Sequence, residues 1–130
     1  MIIGIGCSSI KNKLIPTDNK GGYKITIENN LNIDPTEIHF VGKVFDVSNR
    51  EPIANAELVI GCLKIKTNLN GEYSFKIIKS DTEITYIKGI SVGYKTIETI
   101  FLNLKNNNFV KIDFYLTEDD RPFINCEGIN

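Results

Sequence analysis

Phe109-Val110-Lys111-Ile112-Asp113-Phe114-Tyr115-Leu116 is the stretch that decides the fold. Val110, Ile112, Phe114 and Leu116 fall on one side of an extended chain and Lys111 and Asp113 on the other, the two-residue alternation of a half-buried strand. Working outward, runs of the same kind occupy residues 40–47, 56–67, 72–77, 82–92 and 96–104, each bounded by Asn, Gly, Pro, Asp or Ser. Lys24-Ile25-Thr26-Ile27-Glu28 adds a further strand, stopped by Asn29-Asn30 and set apart from the rest by Asp34-Pro35. Turn chemistry joins these runs. Asn68-Leu69-Asn70-Gly71 offers residues that tolerate a left-handed backbone, and Asn49-Arg50-Glu51-Pro52 and Asn106-Asn107-Asn108 do the same elsewhere.

Composition points the same way. The 130 residues hold 22 Ile, 6 Val and 9 Thr but only 2 Ala, Ala54 and Ala56. Branching at Cβ costs rotamer freedom on a helix and suits a pleated surface, whereas Ala is the residue helices favour most. A chain of this length buries roughly 65–70% of its unfolded surface and so holds a core without metal or many disulfides. Strands spaced at roughly ten residues leave one apolar face wet in a single sheet, and two packed sheets remove that cost. An all-β sandwich is expected. Lys and Arg total 15 against 16 Asp and Glu, a net charge of -1, so no basic field collects phosphates and nucleic-acid binding has no support.

From Gly42 to Leu116 the order of signals resembles the carboxypeptidase regulatory-like family. The residues that carry the resemblance are Gly42-Lys43-Val44-Phe45-Asp46, then Glu51-Pro52-Ile53-Ala54-Asn55-Ala56, then Thr67 to Phe75, then Ser91-Val92-Gly93-Tyr94-Lys95, and the final alternating strand. The resemblance implies a seven-stranded Greek-key sandwich of the transthyretin-like type, spanning residues 39–118 between an N-terminal segment, 1–38, and a tail, 119–130. It also implies an accessory module that acts in folding, docking or protein contact. Each piece has its own physical reading. Gly42 inside a strand permits a bulge or a close approach, Tyr73 and Phe75 share one face, and Gly93-Tyr94 breaks a strand while offering an aromatic to cap the sandwich end.

The amino terminus suggests an address. Met1 to Gly6 is small and apolar, and Ile5-Gly6-Cys7 resembles the cleavage site of a bacterial lipoprotein signal, in which the Cys becomes the lipidated first residue. A secretory signal has a charged start and about 7–15 apolar residues; six uncharged residues precede Cys7 here. Cys7 is therefore a lipidation candidate, with an ordinary small apolar residue as the alternative. Lipidation would place the chain in the periplasm or at the outer membrane, held without a transmembrane helix, since no run of about 18 apolar residues occurs. Removing Cys7 to a lipid leaves Cys62 and Cys126, which either pair, stapling the tail to the strand around Cys62, or remain two thiols.

Reactive constellations are sparse. His39 is the single His and lacks a Cys or His at metal-ligand spacing, so a zinc site and a Ser-His-Asp arrangement both lose their support. Glu118-Asp119-Asp120-Arg121 reads as a solvated exit, and the Asn68–Glu72 oxygens are used by a turn rather than by a calcium loop. Tyr23, Tyr86, Tyr94 and Tyr115 would form a sugar or peptide platform only if exposed together. The expected function is a non-catalytic module of the cell envelope, without catalytic, metal or cofactor residues, that binds another protein. Capture of a carbohydrate or peptide, and neutralisation of an envelope-delivered toxin as an immunity protein, are the alternatives.

Overall fold

The computed structural model describes residues 14–17, 20–79 and 84–120, and no helix occurs among them. The strands are β1 (Ile15–Pro16), β2 (Gly22–Glu28), β3 (Glu37–Asp46), β4 (Glu57–Ile60), β5 (Leu63–Lys66), β6 (Glu72–Ile78), β7 (Ile84–Thr85), β8 (Lys88–Ile90), β9 (Ile97–Glu98), β10 (Leu102–Asn103) and β11 (Phe109–Leu116). One sheet runs β1-β2-β11-β3-β6 and the other β5-β4-β8-β9, with β7 and β10 forming a separate ribbon. The chain is thus an all-β sandwich of five- and four-stranded sheets, where the sequence suggested about seven strands. The difference arises because the run at 56–67 folds back on itself at Gly61-Cys62, and those at 82–92 and 96–104 break into short segments.

β11 lies at the centre of the larger sheet. It runs antiparallel to β2, with seven register pairs from Phe109↔Glu28 to Tyr115↔Gly22, and parallel to β3. Its alternation resolves as the sequence indicates: Val110, Ile112, Phe114 and Leu116 are fully buried. They meet Ile38, Phe40 and Val44 of β3, Leu58 of β4 and Ile97 of β9 in one hydrophobic core. Phe114 faces Gly89 of β8 across the sandwich; a Cβ at Gly89 would lie 3.1 Å from the Phe114 ring. Such a ring buries roughly 150–250 Å², and only a residue without a side chain leaves room for it. Tyr23 is buried too, and its hydroxyl accepts a hydrogen bond from Ile100 N at 3.1 Å, so the polar end of this core aromatic is satisfied.

Turn chemistry follows the sequence as well. Gly71 has φ 73°, Arg50 φ 64° and Asn106 φ 66°, each inside one of the segments expected to tolerate a left-handed backbone. Asn108 does more than turn the chain. It is buried, its side-chain oxygen accepts from Asn30 N, its amide nitrogen donates to Asn30 O, and its carbonyl accepts from His39 N. Through its side chain and its carbonyl together, one residue ties the end of β2 to the starts of β3 and β11.

The parallel β3–β11 ladder lapses in its middle. Register pairs join Lys111 to Val41 and Phe114 to Val44, but none joins Ile112 and Asp113 to Gly42 and Lys43. Here Tyr73 of β6 passes over Gly42 and donates its hydroxyl to Ile112 O at 2.7 Å, while Asp113 Oδ1 accepts from Lys43 N at 3.0 Å. A Cβ on Gly42 would sit 1.7 Å from Ile112 O. Gly42→Ala is expected to cost about 3 kcal/mol or more by overpacking, and Tyr73→Phe about 1–3 kcal/mol by orphaning a buried carbonyl. Urea unfolding of both variants checks this; a Gly42→Ala protein as stable as the parent would contradict the close approach.

Candidate functional site

Outside the core, the larger sheet presents its second face to solvent, and register lines up residues that are far apart in sequence. Lys24 stands opposite Asp113, Asp113 holds the backbone of Lys43, and Lys43 stands opposite Glu72. Read across β2, β11, β3 and β6, the charges alternate plus, minus, plus, minus. Lys43 Nζ lies 3.9 Å from Glu72 Oε2, and both side chains are about half exposed, so this pair contributes about 0–1 kcal/mol to stability and leaves its charges usable by a partner. Beside this line runs a second one, Lys111, Val41 and Ser74. Neither Lys111 nor Ser74 has a side-chain hydrogen bond or ion pair among the described residues.

A groove of about 550 Å³ lies over β11, β3 and β6, lined by residues of both lines together with Asn68, Phe45 and Tyr115. Its volume lies within the range of roughly 300–1,000 Å³ usual for ligand sites. The aromatic end is already packed. Phe45 stacks on Tyr115 at 5.2 Å between centroids, and Lys24 Nζ and Arg50 Cζ each lie 5.4 Å from the Tyr115 ring. Tyr115 is 6% exposed, so it braces the groove rather than offering an open ring. At the β6 side, Asn68 Oδ1 accepts from both Asn70 N and Glu72 N, and its Nδ2 donates to Glu72 Oε1. This is the turn read from the sequence, now holding Glu72 in place.

The other residues singled out in the sequence are scattered. His39 lies within β3 on the outer face, half-buried, with Nε2 3.1 Å from Glu37 Oε1, and it does not line the groove. Tyr23 is in the core, Tyr86 packs edge-on against Phe101, and Tyr94 sits at the end of the sandwich. No platform of four tyrosines forms. Cys62 is exposed in the β4–β5 turn; Cys7 and Cys126 lie outside the described residues. No group of three or more His, Cys, Asp or Glu side chains suited to a metal occurs among the described residues. No described helix is long and apolar enough to cross a membrane.

A second polar cluster, missed in the sequence, closes the sandwich end. Asp46 is buried; its Oδ1 accepts from Ser48 Oγ at 2.6 Å and its Oδ2 from the Tyr94 hydroxyl at 2.7 Å. The Ser48 and Tyr94 hydrogen bonds hold the Asp46 carboxyl below the usual carboxylate range, against an opposing effect of burial. Tyr94 is pushed up to about 12, chiefly by its hydrogen bond to Asp46. In β6, burial raises Tyr73 above the usual phenol range, with Asp113 adding to it. Gly93-Tyr94 is the only hint the sequence gives of this cap.

No protein-family model matches the chain, and no curated protein matches it in sequence. Among solved structures it is similar to 3-chlorocatechol 1,2-dioxygenase from Rhodococcus opacus 1CP, at a TM-score of 0.50 and 13% identity. The match covers 72% of this chain and 64% of that enzyme, so this chain spans less than two thirds of its length. The likeness shows a shared fold and nothing of activity.

The Asp46–Tyr94 pair has a pH signature of defined sign. A carboxyl lowered by folding stabilises fully above its unfolded value near 3.8, and that stability is lost as pH falls through the lower folded value. Tyr94, raised by folding, contributes below its unfolded value near 10.0 and loses that contribution as pH rises through about 12. Thermal melts should therefore show a shallower loss on acidification below about pH 4 in Tyr94→Phe than in the parent. Identical acid limbs would contradict the pairing.

Proposed function

We propose that this chain is a non-catalytic module of the cell envelope that docks another protein through the groove over β11, β3 and β6. The observation that carries the reading is the alternating line of Lys24, Asp113, Lys43 and Glu72 beside that groove. Fixed charges of both signs reward a partner whose own charges match them in register and penalise one whose charges do not, which is how protein surfaces gain specificity and orientation. Ser74 and Lys111 add a donor and a cation on the groove floor. The groove's polar groups also serve structure: Asp113 holds Lys43 N, and Glu72 is held by Asn68. That fits a contact surface better than a set of proton donors and acceptors poised for chemistry.

A protein is favoured over a saccharide because Tyr115 is enclosed by Phe45 and two cations, leaving little ring for a sugar to stack on. An immunity role is the special case in which the partner is a toxin. The address belongs to the same proposal: lipidation at Cys7 would hold the module at a membrane surface in the periplasm or at the outer membrane. Its support is the sequence around Cys7.

Capture from lysate by the parent chain, by Lys43→Glu, by Glu72→Lys and by the double exchange tests the reading. One protein is expected with the parent in stoichiometric amount, and each single reversal should weaken its retention by about tenfold or more. The double exchange rebuilds the internal pair but not the partner's complement, so it should recover stability and stay weak in binding. Equal capture by all four chains, or glycan binding with no protein partner, would overturn the proposal.

A further inference from the structure

We infer that β6 is a self-association edge, along which two copies of the chain pair antiparallel about Phe75 and join their five-stranded sheets into one. This goes beyond the groove and its partner, and it rests on the direction of the β6 backbone. Gly71 O accepts from Val44 N at 2.9 Å, and Lys79 N donates to Thr36 O at 2.7 Å. Between them Tyr73, Phe75 and Ile77 stand opposite Gly42, Phe40 and Ile38, so the odd-numbered residues spend their backbone groups on β3. Glu72, Ser74, Lys76 and Ile78 point theirs away. Those of Glu72 return to Asn68, both at 2.9 Å. Among the described residues β6 is the last strand of its sheet, and the edge is left with the outward groups of Ser74, Lys76 and Ile78. Such a row is a template for another strand.

Parity and charge select the occupant and the register. With a two-fold axis at Phe75, Ser74 of one copy faces Lys76 of the other as a hydrogen-bonded pair, and the reciprocal pair forms by symmetry. On the core side the same register sets Phe75 against its twin and Tyr73 against Ile77. Phe75 and Ile77 are only partly buried, so pairing extends the core across the seam, while Ile78, 67% exposed, lies on the opposite face. An axis at Lys76 would oppose two ammonium groups, which is unfavourable. An axis at Ser74 would bring both Lys76 residues to Glu72, whose backbone Asn68 already occupies, leaving the Ser74 pair alone, whereas the axis at Phe75 keeps both Ser74–Lys76 pairs and meets Glu72 only at the outer Ile78 positions.

Sedimentation velocity of the full chain from about 1 µM to 1 mM tests this, since small interfaces give weak dimers. A concentration-dependent dimer is expected. Ser74→Lys places like charges opposite twice and should weaken the dimer about tenfold, whereas Ser74→Glu should tighten it by a similar factor. Lys76→Pro removes an outward donor and the exposed ion pair of Lys76 with Glu37, but no hydrogen bond to β3, so it should be monomeric with the parent's far-UV signal. A chain monomeric throughout the range would overturn the inference. So would a dimer indifferent to Ser74→Lys, or one weakened by Ser74→Glu. Lys76 does not line the groove, so partner capture by Lys76→Pro can fail or succeed independently of self-association.

Discussion

The Tyr73 hydroxyl on the Ile112 carbonyl, reached across a glycine that has no side chain to block it, is the contact on which both faces of the larger sheet depend. A parallel pair of strands at the centre of a sheet should carry an unbroken ladder. Here the ladder lapses for two residues, and the lapse is closed by side chains: the phenol from β6 on one face, the Asp113 carboxylate on the other. Buried backbone groups that lack a partner are costly, so β6, β3 and β11 are locked together at that point. The Asp113 carboxylate that closes the gap is also a member of the outer charge line. Core and outer face meet at this one point.

The two faces of the same strands divide the work. Inward, Val110, Ile112, Phe114, Leu116, Phe40 and Val44 build the core that joins the sheets. Outward, the same strands carry Lys111, Asp113, Lys43 and Tyr115, whose spacing is fixed by a register that the inner face enforces. A slip of one residue would exchange the two sets, burying charge and exposing the core. The groove is therefore as rigid as the core behind it, which suits recognition by a preformed surface.

How much of this was legible in the sequence follows from what is local. The alternation of β11, the turn at Asn68–Gly71 and the close approach at Gly42 depend on neighbouring residues, and each is found where it was read. The hairpin at Gly61-Cys62 was not, because Ile60 and Ile65 both face the core and apolar residues run through the turn with a single glycine to mark it. Lys24–Glu28 could be recognised as a strand, but not that it lies against β11, since pairing across more than eighty residues leaves no local mark. The charge line beside the groove escaped for the same reason: Lys24, Lys43, Glu72 and Asp113 come from four separate strands. Asn108 shows the remaining gap. Its side chain has the look of a turn residue and acts as a buried clamp.

Native-state hydrogen exchange resolved by residue is the most direct test of this account. If the β2–β11–β3–β6 array is the cooperative centre, the bonded amides of Val110 to Leu116 and of Phe40 to Val44 should exchange only through global unfolding, with one shared opening free energy. The Tyr73→Phe chain should lower that energy for both strands together. Exchange of β11 amides at the rate of the turns, or a β3 segment that opens independently of β11, would contradict it.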